Sequence, residues 1–253
     1  MSYTHICNGK QFQLHGDFGI NSPAAEIFGS SRLFQNWVDS IHPDITIKSV
    51  MMVSVDFKKN NQPMFAKLSV EACGKDGTLI LPDVVFLRGN SVAILPILTV
   101  AQTGEKFVIL TKQVRLPVGE SELAEIPAGM LDHNNSFVGV AAKEFEEEVG
   151  MKMRPEDLIP LTPEPVGCRQ LIPFEKPIAI SPGACDEGMR FFLFQKEVSE
   201  AEIRELQGKL TGNKAEGESI CLMIVPFDKV PYVTRDAKFF CAYGLARLQG
   251  LLQ

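Results

Sequence analysis

The residues best able to do chemistry are concentrated between Glu125 and Met151, in EIPAGMLDHNNSFVGVAAKEFEEEVGM. The second half reads as a helix carrying Glu144, Glu146, Glu147 and Glu148. At 3.6 residues per turn, Glu144, Glu147 and Glu148 recur at i, i+3 and i+4 and share one face. Val138, Ala141, Ala142, Phe145 and Val149 form an apolar stripe beside them, and Glu146 points elsewhere. Like charges at that spacing repel by about 0.2–0.5 kcal/mol per pair, and with no lysine interleaved on that face they call for a compensating cation. Carboxylate oxygens are hard donors suited to magnesium, with manganese as the alternative, ions that keep several waters and bridge to substrate phosphates. The competing reading is a solvated acidic face, and spacing alone leaves both open.

Gly129, Lys143, Glu144, Phe145, Glu147, Glu148, Gly150 and Met151 stand at spacings that resemble the Nudix box. That pattern is Gly, five residues, Glu, seven residues, Arg-Glu, an apolar residue, any residue, Glu-Glu, any residue, Gly, apolar. Two positions depart from it: Asn135 stands at the first Glu and Lys143 at the Arg. The flanks resemble the nucleoside-diphosphate-sugar branch of the superfamily, which includes ADP-ribose and ADP-glucose pyrophosphatases. They are Gln113-Val114-Arg115, then Glu125-Ile126-Pro127-Ala128-Gly129, then SPGACDEGMRFFLF at 181–194. GESICLMIVPFDKV and DAKFFCAYGLARLQ, near the C-terminus, are similar to the plant-type ADP-sugar diphosphatases.

The resemblance implies a metal shell made of the Ala128 carbonyl, Glu144 and Glu148, with Glu147 as an auxiliary ligand that also serves catalysis. It implies Glu187 as the general base, with Asp186 as its nearest rival. Arg115 is implied to contact phosphate, a role suited to a planar fork. Glu125 is implied to lie behind the site, bonding a metal-bound water or bracing the turn, and Gly129 and Glu218 to border the substrate. Glu216 and His133 are weaker candidates. The implied activity is metal-dependent hydrolysis of a nucleoside diphosphate sugar to a nucleoside monophosphate and a sugar phosphate. ADP-glucose and ADP-ribose are favoured, with UDP-glucose behind them. Asn135 and Lys143 motivate an alternative, a Nudix-fold module that binds nucleotide sugars without cleaving them. A pyrophosphatase for dinucleotides such as NADH is a further alternative.

The elements that must position these residues can be read along the chain. Its 253 residues are enough for one large domain or two modest ones, and a net charge of −6 argues against a protein built to grip nucleic acid. Cysteines 7, 73, 168, 185, 221 and 241 form no CxxC pair and read as free thiols of a reducing compartment. The N-terminus shows neither a long apolar run nor an Arg/Ser-rich pattern, and no segment reaches membrane-spanning length, so the expected location is cytoplasmic. From Ser30, the spacing of Leu33, Phe34, Trp37, Val38 and Ile41 predicts a helix that ends before Pro43. β-rich runs separated by turn formers follow from Ile45 to Leu110 and suggest an antiparallel sheet.

A boundary near Arg88-Gly89 divides residues 1–89, a β-rich domain with one helix, from residues 90–253, the Nudix domain. Within the latter, MRFFLFQKEV and ICLMIVPF read as strands. Ser199 with Glu202 makes a capping box, and a helix runs from about Asp236 to Leu252. A Pro-rich connection spans Thr162 to Pro182, long enough to suggest a role. The fold class expected is α/β: the α/β/α sandwich of the Nudix fold with a mixed sheet, preceded by the smaller β-rich domain. The resemblance further implies a homodimer in which the N-terminal domain crosses to its partner.

Overall fold

In the computed structural model, which describes residues 2–7, 9–16, 24–81, 83–131, 137–162, 177–213 and 218–252, the chain divides into two units. The first comprises Met1–Asn90 with Ala179–Gly188, and the second Ser91–Ile178 with Met189–Gln253. Residues 179–188, which the sequence reading assigns to the second domain, thus group with the first.

The first unit contains β1 (Ser2–Cys7), β2 (Lys10–Gly16), α1 (Ala24–Gly29), α2 (Arg32–Ser40), β3 (Thr46–Phe57), β4 (Pro63–Cys73) and β5 (Val84–Leu87). Their sheet order is β1-β2-β3-β4-β5. β3, β4 and β5 pair antiparallel, whereas β2 joins β3 in parallel, which requires a crossover, and α1 and α2 lie in that connection. Ser31 caps α2 by accepting from Phe34 N, and the predicted stripe of Leu33, Phe34 and Val38 buries against Leu14, Val50, Met52 and Leu68. Trp37 is partly buried on the same core, its ring 5.8 Å from that of Phe34.

The second unit opens with β6 (Ser91–Val100), β7 (Lys106–Arg115), β8 (Glu120–Glu125), β9 (Ala128–Met130) and α3 (Phe137–Val149). β10 (Leu158–Pro160), β11 (Ile178–Ala179), β12 (Gly188–Val198), α4 (Glu200–Leu206), β13 (Leu210–Thr211) and β14 (Ile220–Pro226) follow, and α5 (Val230–Val233) and α6 (Ala237–Leu248) end the chain. The sheet is mixed, in the order β10-β12-β6-β7-β14-β13, with β8 added to β7, β9 to β6 and β11 to β12. β6 and β12 are parallel, while β7 runs antiparallel to β6 and to β14.

β6 is buried on both faces, as a strand between helical layers must be. Val92, Ile94 and Leu98 share a core with Val140, Ala141, Phe145 and Val149 of α3 and Leu206 of α4. Ala93, Leu95 and Ile97 alternate to the other side, and α6 also packs on this strand. The capping box forms: Ser199 N donates to Glu202 Oε2 at 2.8 Å and Glu202 N to Ser199 Oγ at 3.2 Å. No described helix is long and apolar enough to cross a membrane.

Phe145 is fully buried and its ring lies 5.0 Å from that of Phe194, fixing α3 to the sheet. Phe145→Ala is expected to cost about 3–5 kcal/mol, read as a lower urea midpoint with an unchanged m-value.

Candidate active site

The site grows from a turn and a helix in the second unit. β8 ends at Glu125, and Ile126-Pro127 leads into β9, where Ala128 pairs with Ala93 and Gly129 with Val92. Ile94 N donates to Pro127 O at 2.9 Å, so the turn is stitched to the central strand. Burial of Ala141, Phe145 and Val149 sets the rotation of α3 and brings Glu144 and Glu148 to the turn. Glu148 is 6% exposed, and its Oε2 accepts a hydrogen bond from Ala128 N at 3.1 Å. A Cβ at position 129 would lie 2.1 Å from Glu144 Cδ, so a larger residue there would have to displace the Glu144 carboxyl from the turn.

The remaining acids of the helix divide. Glu146 is exposed. Glu147 Oε1 lies 3.6 Å from Lys143 Nζ, one turn earlier, so this carboxylate finds a cation on its own helix. That pairing corrects the expectation that no lysine is interleaved with these acids.

A second clamp holds the end of α3. Gly212 N donates to Glu147 O at 3.2 Å and Thr211 Oγ1 donates to Glu148 O, so β13 satisfies carbonyls that the helix terminus leaves open. The β13–β14 hairpin also carries Glu218, whose Oε2 accepts from Asn213 N at 3.3 Å. Gly212, at φ +95°, allows this close fold, because a Cβ there would meet Glu218 O at 3.2 Å.

Burial pushes the Glu148 carboxyl up to about 8. The charges of Glu144 and Glu218 add to that effect, and the Ala128 N–H and Arg115 oppose it. Among the described residues, no three His, Cys, Asp or Glu side chains are gathered as a metal cluster. Glu144, Glu148 and the Ala128 carbonyl would offer hard oxygens at the turn, a chemistry that fits a magnesium-type ion with waters in its remaining positions.

Behind the turn lies a buried ionic network. Glu125 is 6% exposed; Oε1 accepts from Lys238 Nζ at 2.7 Å and Oε2 from Arg115 Nε. Burial works against the Glu125 charge, but Lys238 and Arg115 together outweigh it and hold the carboxyl below its usual range. Lys238 Nζ also lies 2.9 Å from Asp236 Oδ1. Asp236 caps α6, and its Oδ2 accepts from Ile126 N at 3.0 Å, while Thr234 Oγ1 donates to Ala124 O at 2.6 Å. Arg115 is thus engaged through Nε with Glu125, on a side chain 38% exposed. Thr234, Asp236 and Lys238 escape sequence reasoning, which sees in Asp236 only the start of the terminal helix.

Glu187 and Asp186 belong to the first unit. Asp186 Oδ1 accepts from Arg88 N at 2.7 Å and Gly89 N at 3.1 Å, and Oδ2 lies 3.2 Å from Gly89 N, so both oxygens bracket backbone. Burial raises its proton affinity. Glu187, 8% exposed, has Oε2 3.5 Å from Nη1 of Arg88, a residue the sequence reading used only as a boundary mark. His133, Asn135 and Glu216 lie outside the described residues, as does 163–176 of the Pro-rich connection.

No protein-family model matches the chain. Nudix hydrolase 14, chloroplastic, of Arabidopsis thaliana is 36% identical over 248 residues, covering 92% of this chain and 77% of that protein. The chain belongs to the Nudix hydrolase family. It is accordingly an enzyme, a hydrolase, and its box helix is α3. The crystal structure of ADP compounds hydrolase matches this Nudix hydrolase with a TM-score of 0.51 at 20% identity. That match covers 84% of this chain and 98% of the other, a likeness of fold.

In the metal-free hydrolase, Glu148 has a folded pKa of about 8, above its ordinary value of 4.5. Its contribution to stability is therefore fully present below about 4.5 and lost as pH rises through about 8, with a slope of at most about 1.4 kcal/mol per pH unit. Chemical denaturation in chelator across that range is expected to show this decline, and Glu148→Gln, which stays neutral, to flatten it. An unflattened profile would show that Glu148 does not carry it.

Proposed function

We propose that this Nudix hydrolase cleaves the diphosphate of a nucleoside diphosphate sugar, releasing a nucleoside monophosphate and a sugar phosphate. ADP-glucose and ADP-ribose are the favoured substrates, with UDP-glucose behind them. The observation that carries the reading is the pair of carboxylates, Glu144 and buried Glu148, held against the Ala128-Gly129 turn. The fold likeness to an ADP compounds hydrolase supports the choice of adenine nucleotides.

In this reading Glu144, Glu148 and the Ala128 carbonyl hold magnesium, or manganese, with Glu147 available as a further donor. When bound, the ion polarises water and offsets charge on the diphosphate. Gly129 keeps the turn open to Glu144. Arg115 grips a phosphate through the outer edge of its guanidinium while Glu125 holds its Nε, and Glu218 borders the site from the hairpin. Glu187 takes the proton of the attacking water. The water oxygen bonds to phosphorus, the bridging P–O bond breaks, and the leaving phosphate departs with the bridging oxygen. The cytoplasm and a homodimeric state belong to the same proposal. The second draws support from Met51, Val53 and Phe57, apolar side chains exposed along β3.

Wild-type protein with magnesium is expected to release AMP from ADP-ribose or ADP-glucose. Glu187→Gln should lower kcat about 10²–10⁴-fold while the magnesium activation constant stays unchanged, and Glu148→Gln should lower kcat and weaken magnesium activation together. Absence of monophosphate release under magnesium and manganese rejects the proposal, and tight ADP-ribose binding without turnover would make the protein a binding module instead.

A further inference from the structure

Lys238 is a largely buried cation of the second unit that the proposed chemistry does not use. Lys238 sits in the first turn of α6, where the helix dipole disfavours positive charge. Its side chain is 14% exposed, and Nζ is shared between Glu125 Oε1 at 2.7 Å and Asp236 Oδ1 at 2.9 Å. A buried ion pair is weak as a stabiliser, since apolar replacements of similar volume often serve a fold as well. What such a bridge supplies is orientation.

The orientation matters because of where the bridge leads. Glu125 has two oxygens. With Oε1 held by Lys238, Oε2 is presented to Arg115 Nε, and the other edge of that partly exposed guanidinium is left for a ligand. Arg115 is close enough to Glu148 for its charge to oppose proton binding there. The geometry points to Lys238 as a positioning residue: by bridging Asp236 and Glu125 it fixes the carboxylate that aims Arg115 at the substrate phosphates. Asp236 is itself anchored to Ile126 N and to the cap of α6, so the bridge has a rigid end. Glu125 without Lys238 keeps one cationic partner and is free to rotate about its side-chain torsions, carrying Arg115 with it.

This inference rests on the proposed hydrolysis, and one arm of its test does not. In substrate-free protein, the Arg115 Nε–H NMR resonance, assigned by its loss in Arg115→Lys, is expected to shift in Lys238→Met. An unchanged resonance overturns the inference whatever the substrate. In kinetics with ADP-ribose, Lys238→Met should lower kcat/KM about tenfold through KM while the magnesium activation constant moves less than about twofold. In an Arg115→Ala background the same substitution should then have an effect under about twofold, because the two residues act in series. Additive losses in that cycle would mean a merely structural role and would overturn it. Should Lys238→Met fail to fold, Lys238→Gln, which removes the charge but keeps a donor, is read in the same way. A wild-type protein that releases no monophosphate rejects the proposed function, and the resonance alone then decides on Lys238.

Discussion

The structure of the second unit turns on the removal of the Glu148 carboxylate from water. A charge-assisted hydrogen bond such as that from Ala128 N contributes about 1.5–3 kcal/mol, whereas taking a carboxylate out of water costs several kcal/mol even after relaxation. The deficit appears as a proton affinity raised to about 8. Glu144, pressed against Gly129, and Glu218, on the hairpin, deepen it. A protein that merely tolerated an acidic helix would turn these side chains outward, as it does Glu146.

Holding such a group in place requires that both sides of it be rigid. The helix side is fixed by the apolar stripe of α3 and by β13, which takes up the Glu147 and Glu148 carbonyls. The turn side is fixed by β6 in front and by Thr234 and Asp236 behind, which bond the backbone on either side of Glu125. The apolar stripe of α3 depends on packing and the bracket behind the turn on buried polar pairing, so the site is braced by two kinds of interaction with different sensitivities. Packing resists loss of volume, and the polar bracket resists rotation.

What the sequence reveals of this follows from how local each cause is. Helical periodicity puts Glu144 and Glu148 on one face because 3.6 residues per turn is a backbone property, and the Ser199–Glu202 box is legible because its partners are three residues apart. The six-residue α1 is too short for a periodic signal, and β2 pairs in parallel with β3 across a long connection that local pattern does not reveal. Asp186 and Glu187 are alike as neighbouring acids. Asp186 is set apart by the backbone N–H groups of Arg88 and Gly89, and these are supplied from 98 and 97 residues away. Lys238 meets Glu125 across 113 residues, a pairing that no spacing rule contains.

The charge of the site bears on the proposed chemistry as much as its geometry does. Asp236, Lys238, Glu125 and Arg115 alternate in sign and cancel along the chain they form, so the network orients Arg115 without adding net positive potential. In front of it stand Glu144, Glu148 and Glu218, on a chain whose net charge is −6. In the proposed reading a diphosphate brought there would meet the carboxyl groups of Glu144 and Glu218, and one guanidinium already paired with a carboxylate does little to offset them. In the proposed function a divalent cation stands between the two sets of oxygens, so that the same carboxylates that repel phosphate hold what attracts it.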